Sequence, residues 1–164
     1  MAEHVAIVVA DEQDDVELDA EVFAELARRV LDAEGASGEL TLTFVDTDEI
    51  TALNAEHMGI HAPTDVLSFP LDADDDVVAS DAPVPRLLGD VVVCPAVAAA
   101  AAPSHAGTVD DELALLVVHG VLHVLGYDHA EHDDAVAMRA RERALLEQHH
   151  WRGPAPTGFV HEQP

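Results

Sequence analysis

The alternation of hydrophobic and polar residues along the chain predicts four β-strands. We expect them at residues 5–9, at 40–45, within 63–70, where a turn runs into a short strand, and at 87–94. The second run alternates apolar and polar side chains, as a half-buried strand does. The fourth run is apolar apart from Gly89 and Asp90, which indicates a buried strand. Pro70 closes the third run, because proline cannot donate to a strand ladder.

Hydrophobic residues at helical spacing, together with capping residues, predict five helices. They begin at or just after residues 20, 47, 95, 108 and 133. Thr47 and Thr108 offer side-chain oxygens for N-caps, and Gly126 suits the left-handed C-cap of the fourth helix. In the last helix, which runs to about residue 149, three apolar residues should face the core: Val136, Leu145 and Leu146.

This order of elements predicts an α+β fold in a single domain over residues 1–152. We expect a mixed sheet of about four strands packed with helices. The fourth helix should lie in the core, since residues 113–118 are almost wholly apolar. Residues 72–86 form an acidic, proline-bearing loop, and residues 153–164 are rich in proline and glycine, which predicts a disordered tail.

The charge balance is strongly acidic, with 33 acidic residues against 7 basic ones, all of them arginine. Such a surface repels phosphate backbones. One interpretation is a surface that repels acidic partners or gathers cations. We favour adaptation of the whole proteome, either to salt or to a genome that avoids lysine codons, because net charge concerns solubility and association more than fold.

Compartment and membrane relations follow from three further observations. Cys94 is the only cysteine, so no internal disulfide can form. The first residues lack the basic start of a signal peptide, and no apolar run approaches the ~20 residues of a membrane span. We therefore expect a cytoplasmic protein without a membrane partner.

Three histidines, His119, His123 and His129, form the strongest chemical signal. The first two are four residues apart and share one face of the predicted helix. Gly126 ends that helix, so the chain can turn back and bring His129 to the same point. Three histidine ligands plus water around one Zn²⁺ ion are typical of a catalytic site. Unrelated core histidines are the alternative, but the joint spacing favours a metal.

The same spacing occurs in the metzincin proteases, whose helix carries His-Glu-x-x-His-x-x-Gly-x-x-His. The histidine and glycine positions agree, but Gly120 stands in place of the catalytic glutamate. Loss of a general base commonly lowers a rate by about 10²–10⁴-fold, so peptide hydrolysis is disfavoured. RNA cleavage depends less on that position, because the substrate carries its own 2′-hydroxyl and a metal can stabilise charge on the phosphate.

Residues 119–129 resemble the His-Gly-x-Leu-His-Leu-x-Gly-Tyr-Asp-His signature of the YbeY family of bacterial endoribonucleases. Residues 63–70 and 88–94 match two further family segments, and Leu53-Asn54 stands at the family's spacing before the first. The resemblance implies a zinc-dependent, single-strand-specific endoribonuclease with its metal on the three histidines. It implies a role in ribosomal RNA maturation, at the 3′ end of the small-subunit RNA, and in ribosome quality control. The partners it implies are single-stranded and ribosomal RNA, the small subunit with one of its ribosomal proteins, and the Era GTPase.

One position departs from the family pattern. An arginine that is thought to hold the RNA phosphate commonly follows the Leu-Asn pair, and Met58 occupies its place here. Either the loop tolerates the change or another cation replaces the arginine, with Arg86 the nearest candidate. Asp128 either accepts a proton or orients a ligand histidine, or it caps the turn. The residues assign neither the nucleophile nor the general base.

Two other functions stay open from the residues. The first is a zinc-dependent, metallopeptidase-like hydrolase, which the metzincin spacing favours and Gly120 opposes. The second is a non-catalytic ribosome-assembly factor with zinc in a structural role. An acidic protein would bind a basic ribosomal protein more readily than naked RNA, which favours the assembly factor.

Overall fold

A computed structural model describes residues 5–71, 86–128 and 130–160. Within these ranges the chain forms the four strands and five helices that the hydrophobic pattern predicts. They are β1 (Val5–Glu12), α1 (Ala20–Ala33), β2 (Gly38–Val45), α2 (Thr47–Met58), β3 (Val66–Pro70), β4 (Leu87–Val93), α3 (Pro95–Ala101), α4 (Val109–Val124) and α5 (His132–His149). A 3₁₀ turn, Ala102–Ser104, follows α3. The predicted acidic loop lies outside the described residues except for Arg86.

The four strands form one mixed sheet in the order β1-β2-β4-β3. β1, β2 and β4 are parallel, whereas β3 pairs antiparallel with β4 at the edge. β1 extends to Glu12, beyond its predicted end, because it pairs with β2 as far as Val45. The predicted single-domain α+β fold with a four-stranded mixed sheet is confirmed.

Helices cover both faces of this sheet. Side chains alternate along a strand, so Val91 and Val93 of β4 enter the main core, whereas Val92 packs on the other face with Ile50 of α2. α4 packs against β3, β4, α1, α3 and α5. Its apolar stretch, residues 113–118, is buried throughout. The expected position of this helix in the core is therefore confirmed.

Two local predictions are wrong. Asp46 caps α2 in place of Thr47: its Oδ1 accepts a hydrogen bond from the amide of Glu49 at 2.9 Å. Asp46 has the extended backbone of an N-cap, and Thr47 is already the first helical residue. Val136 is exposed, because the buried face of α5 consists of residues three or four positions apart: Met138, Glu142, Leu145 and Leu146.

The predicted tail also differs from expectation over its described part, residues 153–160. Phe159 is buried, and its ring packs edge-on against Trp151 with 4.9 Å between centroids. The amide of Val160 donates to the carbonyl of His105 at 2.7 Å. Two aromatic rings provide enough apolar surface to fix a segment whose composition suggests disorder. Residues 161–164 lie outside the described part of the chain.

No described helix combines the length and the apolar character that crossing a membrane requires.

Candidate metal centre

The helix that carries the histidines is capped at both ends. Thr108 Oγ1 accepts a hydrogen bond from the amide of Asp111 at 3.1 Å, which confirms the predicted N-cap. At the other end, the amide of Tyr127 donates to the carbonyl of Leu122, and the amide of Gly126 donates to the carbonyl of His123, both at 3.0 Å. This pair of bonds is a Schellman motif, and Gly126 has the positive φ of 106° that the motif requires.

Gly120 lets α4 approach the sheet closely. A Cβ at this position would lie 2.6 Å from Cγ1 of Val91 on β4 and 3.3 Å from Oγ of Ser68 on β3. Ser68 Oγ also donates to the carbonyl of Gly120 at 3.2 Å. The glycine in the histidine motif therefore has a packing role, and a glutamate side chain would not fit there without displacing the sheet.

His119 and His123 lie together on one face of α4, as their spacing predicts. Their ring centroids are 5.2 Å apart, and the rings are inclined by 65° to each other. Both side chains are partly buried. Two imidazoles one helical turn apart offer two nitrogen donors to one point in space.

Glu142 of α5 contacts the first of these histidines. The Nδ1 atom of His119 lies 2.6 Å from Oε2 of Glu142, whose side chain is only 2% exposed. Sequence reasoning missed this residue, because 23 positions separate the two partners. The available signal was the helical spacing of Met138, Glu142 and Leu145, which places a glutamate on the buried face of α5.

A second set of polar contacts holds the turn after α4. The hydroxyl of Tyr127 donates to Oε1 of Glu34 at 2.7 Å, and Arg141 of α5 binds the other oxygen of the same carboxylate. The bond to Glu34 raises the pKa of Tyr127, and burial raises it further. Asp128 follows directly and is exposed. The turn is thus tied to α1 and α5 just before His129.

The third predicted ligand, His129, lies outside the described residues. Among residues 5–71, 86–128 and 130–160, no three His, Cys, Asp or Glu side chains form a group suited to a metal ion. The two described histidines nevertheless fit such a site by their chemistry. Because Nδ1 of His119 faces Glu142, a metal would bind this ring through Nε2, and His123 lies beside it on the same helical face.

Comparison with known proteins identifies the family. A family model described as Endoribonuclease YbeY matches residues 8–150. The chain belongs to the endoribonuclease YbeY family. Among its relatives of that name, one from Salinispora tropica is 41% identical over 155 residues, covering 90% of this chain and 97% of the relative. One from Thermobifida fusca is 42% identical over 144 residues, covering 87% of this chain and 92% of the relative. The family resemblance of the three sequence segments is confirmed.

A solved structure supports the fold independently. The solution structure of TM1509 from Thermotoga maritima matches with a TM-score of 0.61 and 28% sequence identity. The match covers 89% of this chain and 91% of that protein. The mixed sheet with its central helix is therefore an architecture that also occurs in a solved structure.

The segment before β3 contains the Leu-Asn pair of the family pattern. Asn54 is buried, and its side-chain amide donates to the carbonyl of Ala62 at 2.8 Å, which folds the connection between α2 and β3. Met58, at the position of the family arginine, ends α2 and is half exposed. No cation therefore stands at that position in this chain.

Arg86, the candidate replacement, directly precedes β4 and is exposed. α4 runs antiparallel to β4, because Gly120 packs on Val91 and Val124 lies close to Gly89. Arg86 thus lies at the same end of the sheet as the C-terminal turn of α4. Its role in phosphate binding stays a prediction.

Proposed function

We propose that this endoribonuclease cleaves single-stranded ribosomal RNA at a site built on one zinc ion and three histidines, His119, His123 and His129. The proposed role is maturation of the 3′ end of the small-subunit RNA and ribosome quality control in the cytoplasm. A small-subunit ribosomal protein and the Era GTPase are the proposed protein partners. The observation that carries the proposal is the pair of histidine rings, 5.2 Å apart, on the core helix of a YbeY family member.

The residues of the proposed site have separate roles. The three histidines would hold the ion, and Gly126 with Tyr127 directs the chain toward the third of them. When bound, zinc supplies a Lewis acid that stabilises negative charge on the phosphate that is being cleaved. Asp128, which directly precedes His129 in the chain, is exposed and is the proposed candidate to accept a proton.

The metallopeptidase alternative has less support. A peptidase of the metzincin type needs a glutamate directly after the first histidine, on the side where the substrate binds. Here that position is Gly120, which packs against Val91. The general base would have to come from elsewhere in the chain.

The assembly-factor alternative rests on the net charge of −26, which disfavours binding to naked RNA. It would require a closed, four-ligand shell around the metal. The family is described by its endoribonuclease activity, which a non-catalytic assembly factor would lack. The acidic surface therefore favours protein partners in addition to cleavage and does not replace it.

The experiment uses an end-labelled RNA that spans the 3′ end of small-subunit RNA, the same sequence as a duplex, and casein. Each substrate is incubated with wild-type protein, with and without a chelator, and with the variants His119→Ala and His123→Ala. We expect cleavage of the single strand only, lost with chelator and in both variants. His150→Gln is the matched control, because His150 pairs with Asp111 at the other end of α4 and should leave cleavage unchanged.

The products also define the chemistry. Attack by the 2′-hydroxyl leaves a 2′,3′-cyclic phosphate, whereas attack by water leaves a linear end. Cleavage of casein alone would overturn the proposal in favour of a peptidase. Failure to cleave RNA by a folded, zinc-loaded protein would favour the assembly factor.

A further inference from the structure

The contact between His119 and Glu142 has a consequence for the metal site. We propose that Glu142 is a positioning residue, which fixes the tautomer and the orientation of His119 so that Nε2 faces the ion. The inference rests on the proposed metal site and goes beyond it, since it assigns a function to a residue of α5 that lies outside the histidine motif.

The distance and the chemistry of the two groups set the direction of the hydrogen bond. Nδ1 of His119 lies 2.6 Å from Oε2 of Glu142, and an ionised carboxylate can only accept, so the proposal assigns the shared proton to Nδ1. A neutral imidazole with its proton on Nδ1 has its lone pair on Nε2. The carboxylate also increases the electron density of the ring, which strengthens Nε2 as a ligand.

Burial makes this orientation specific. The Glu142 side chain is 2% exposed and the His119 side chain 23% exposed, so water competes little for the contact. Met138, Leu145 and Leu146 surround Glu142 on the buried face of α5. α5 thereby becomes part of the metal site, because a shift of this helix would move His119.

The chain contains a second histidine–glutamate pair, which serves as a control to separate an effect on the metal from an effect on the stability of the fold. His105 and Glu112 make the same kind of contact, with Nδ1 of the histidine 2.9 Å from Oε1 of the glutamate. Their side chains are 26% and 2% exposed, close to the values of the first pair. Glu112 lies in the first turn of α4, about two turns from His119, so its loss should affect folding without affecting the metal.

The test measures zinc affinity by competition with a chromophoric chelator, for wild-type protein, Glu142→Gln, Glu142→Asp and Glu112→Gln. Glutamine fills the same space but loses the charge, and aspartate keeps the charge but is too short to reach Nδ1. We expect both Glu142 variants to bind zinc about 10- to 100-fold more weakly. Glu112→Gln should bind zinc like the wild type, and urea unfolding of all four proteins reports any common loss of stability.

A second measurement does not depend on the variants. Long-range ¹H–¹⁵N spectra of the wild-type histidines, recorded without metal, should show His119 as the Nδ1–H tautomer. Wild-type zinc affinity in both Glu142 variants, or the opposite tautomer of His119, would overturn the inference while leaving the metal site intact. If the wild type itself binds no zinc, the proposed function fails, and the tautomer then still decides the orienting role of Glu142.

Discussion

Val91 of β4 occupies the space that a side chain at position 120 of α4 would need. A Cβ on Gly120 would lie 2.6 Å from Cγ1 of Val91, which is fully buried and β-branched and therefore cannot turn away easily. The close approach of helix and sheet at this point sets the position of His119, the preceding residue.

Gly120→Ala should therefore destabilise the protein although alanine favours helices. Overpacking of this kind costs about 1–3 kcal/mol, and the gain in helix propensity offsets about 1 kcal/mol of that cost. We expect a net loss of up to about 2 kcal/mol in urea unfolding. In a Val91→Ala background the same change should stabilise the protein, and a loss of equal size there would contradict the packing explanation.

Gly126→Ala should weaken metal binding in addition to destabilising the fold, unlike a glycine substitution elsewhere that destabilises the fold alone. Gly126 has a φ of 106°, and a Cβ there would meet nothing within 4 Å, so the strain lies in the backbone alone. The control is Gly59→Ala at the C-cap of α2, where φ is 73° and the surroundings are equally open. Gly59→Ala should cost about 1–2 kcal/mol, and Gly126→Ala at least as much, because a φ of 106° lies beyond the left-handed region that L-residues adopt. Only Gly126→Ala should reduce zinc affinity, because the turn at Gly126 leads to His129.

Tyr127 should ionise at a higher pH than an ordinary tyrosine, because its hydroxyl donates a hydrogen bond to Glu34, which raises its pKa. It is the only tyrosine, so the ultraviolet absorbance of phenolate reports this residue alone. The pKa of Tyr127 in the folded protein lies above its unfolded value near 10. The hydrogen bond therefore stabilises the protein fully below about pH 10, and this stabilisation is lost as the pH rises through the folded pKa. Tyr127→Phe should remove this loss of stability at alkaline pH, and Glu34→Gln should lower the midpoint of the Tyr127 absorbance titration. A midpoint that does not move in Glu34→Gln would contradict the assigned cause.

His149 should make the protein less stable in mild acid. Desolvation by burial, and then the nearby arginines Arg29, Arg141 and Arg152, lower its pKa, and its Nε2 atom is buried without a hydrogen-bond partner among the described residues. The unfolded state binds the proton more readily, so the stability present above about pH 6.5 falls as the pH drops toward the folded pKa. Urea unfolding at about pH 7.5 and pH 5.5 should show a smaller difference for His149→Phe than for the wild type. An unchanged pH dependence would exclude His149 as its source.

The rate of RNA cleavage should not fall as the salt concentration rises, whereas nucleases with a basic surface lose activity in salt. With a formal net charge of −26, the protein repels RNA at low ionic strength. Salt screens this repulsion, since the Debye length falls to about 10 Å at 0.1 M and about 3 Å at 1 M. We expect kcat/KM for RNA to rise or stay constant as salt increases. A steep fall would show that a local group of cations dominates binding, and Arg86→Ala would then test the exposed arginine before β4.

Short-range patterns in the chain were sufficient for the elements and for the histidine motif. Helical period, strand alternation and the Thr108 and Gly126 caps depend on residues within a few positions of one another, and the spacing of His119 and His123 depends on one helix. The same local information misplaced the cap of α2 by one residue, since Asp46 and Thr47 can both provide a capping oxygen.

The packing of distant segments determined the rest. Glu142 reaches His119 across 23 positions, Val91 excludes a side chain at Gly120, and Phe159 packs against Trp151 in a tail whose composition suggests disorder. Helical spacing indicates that Glu142 is buried, but no pattern in the sequence gives any of these contacts, because each depends on how distant segments pack together. The chain thus carries the proposed metal ligands in one motif, whereas the orientation of His119 depends on the folded core.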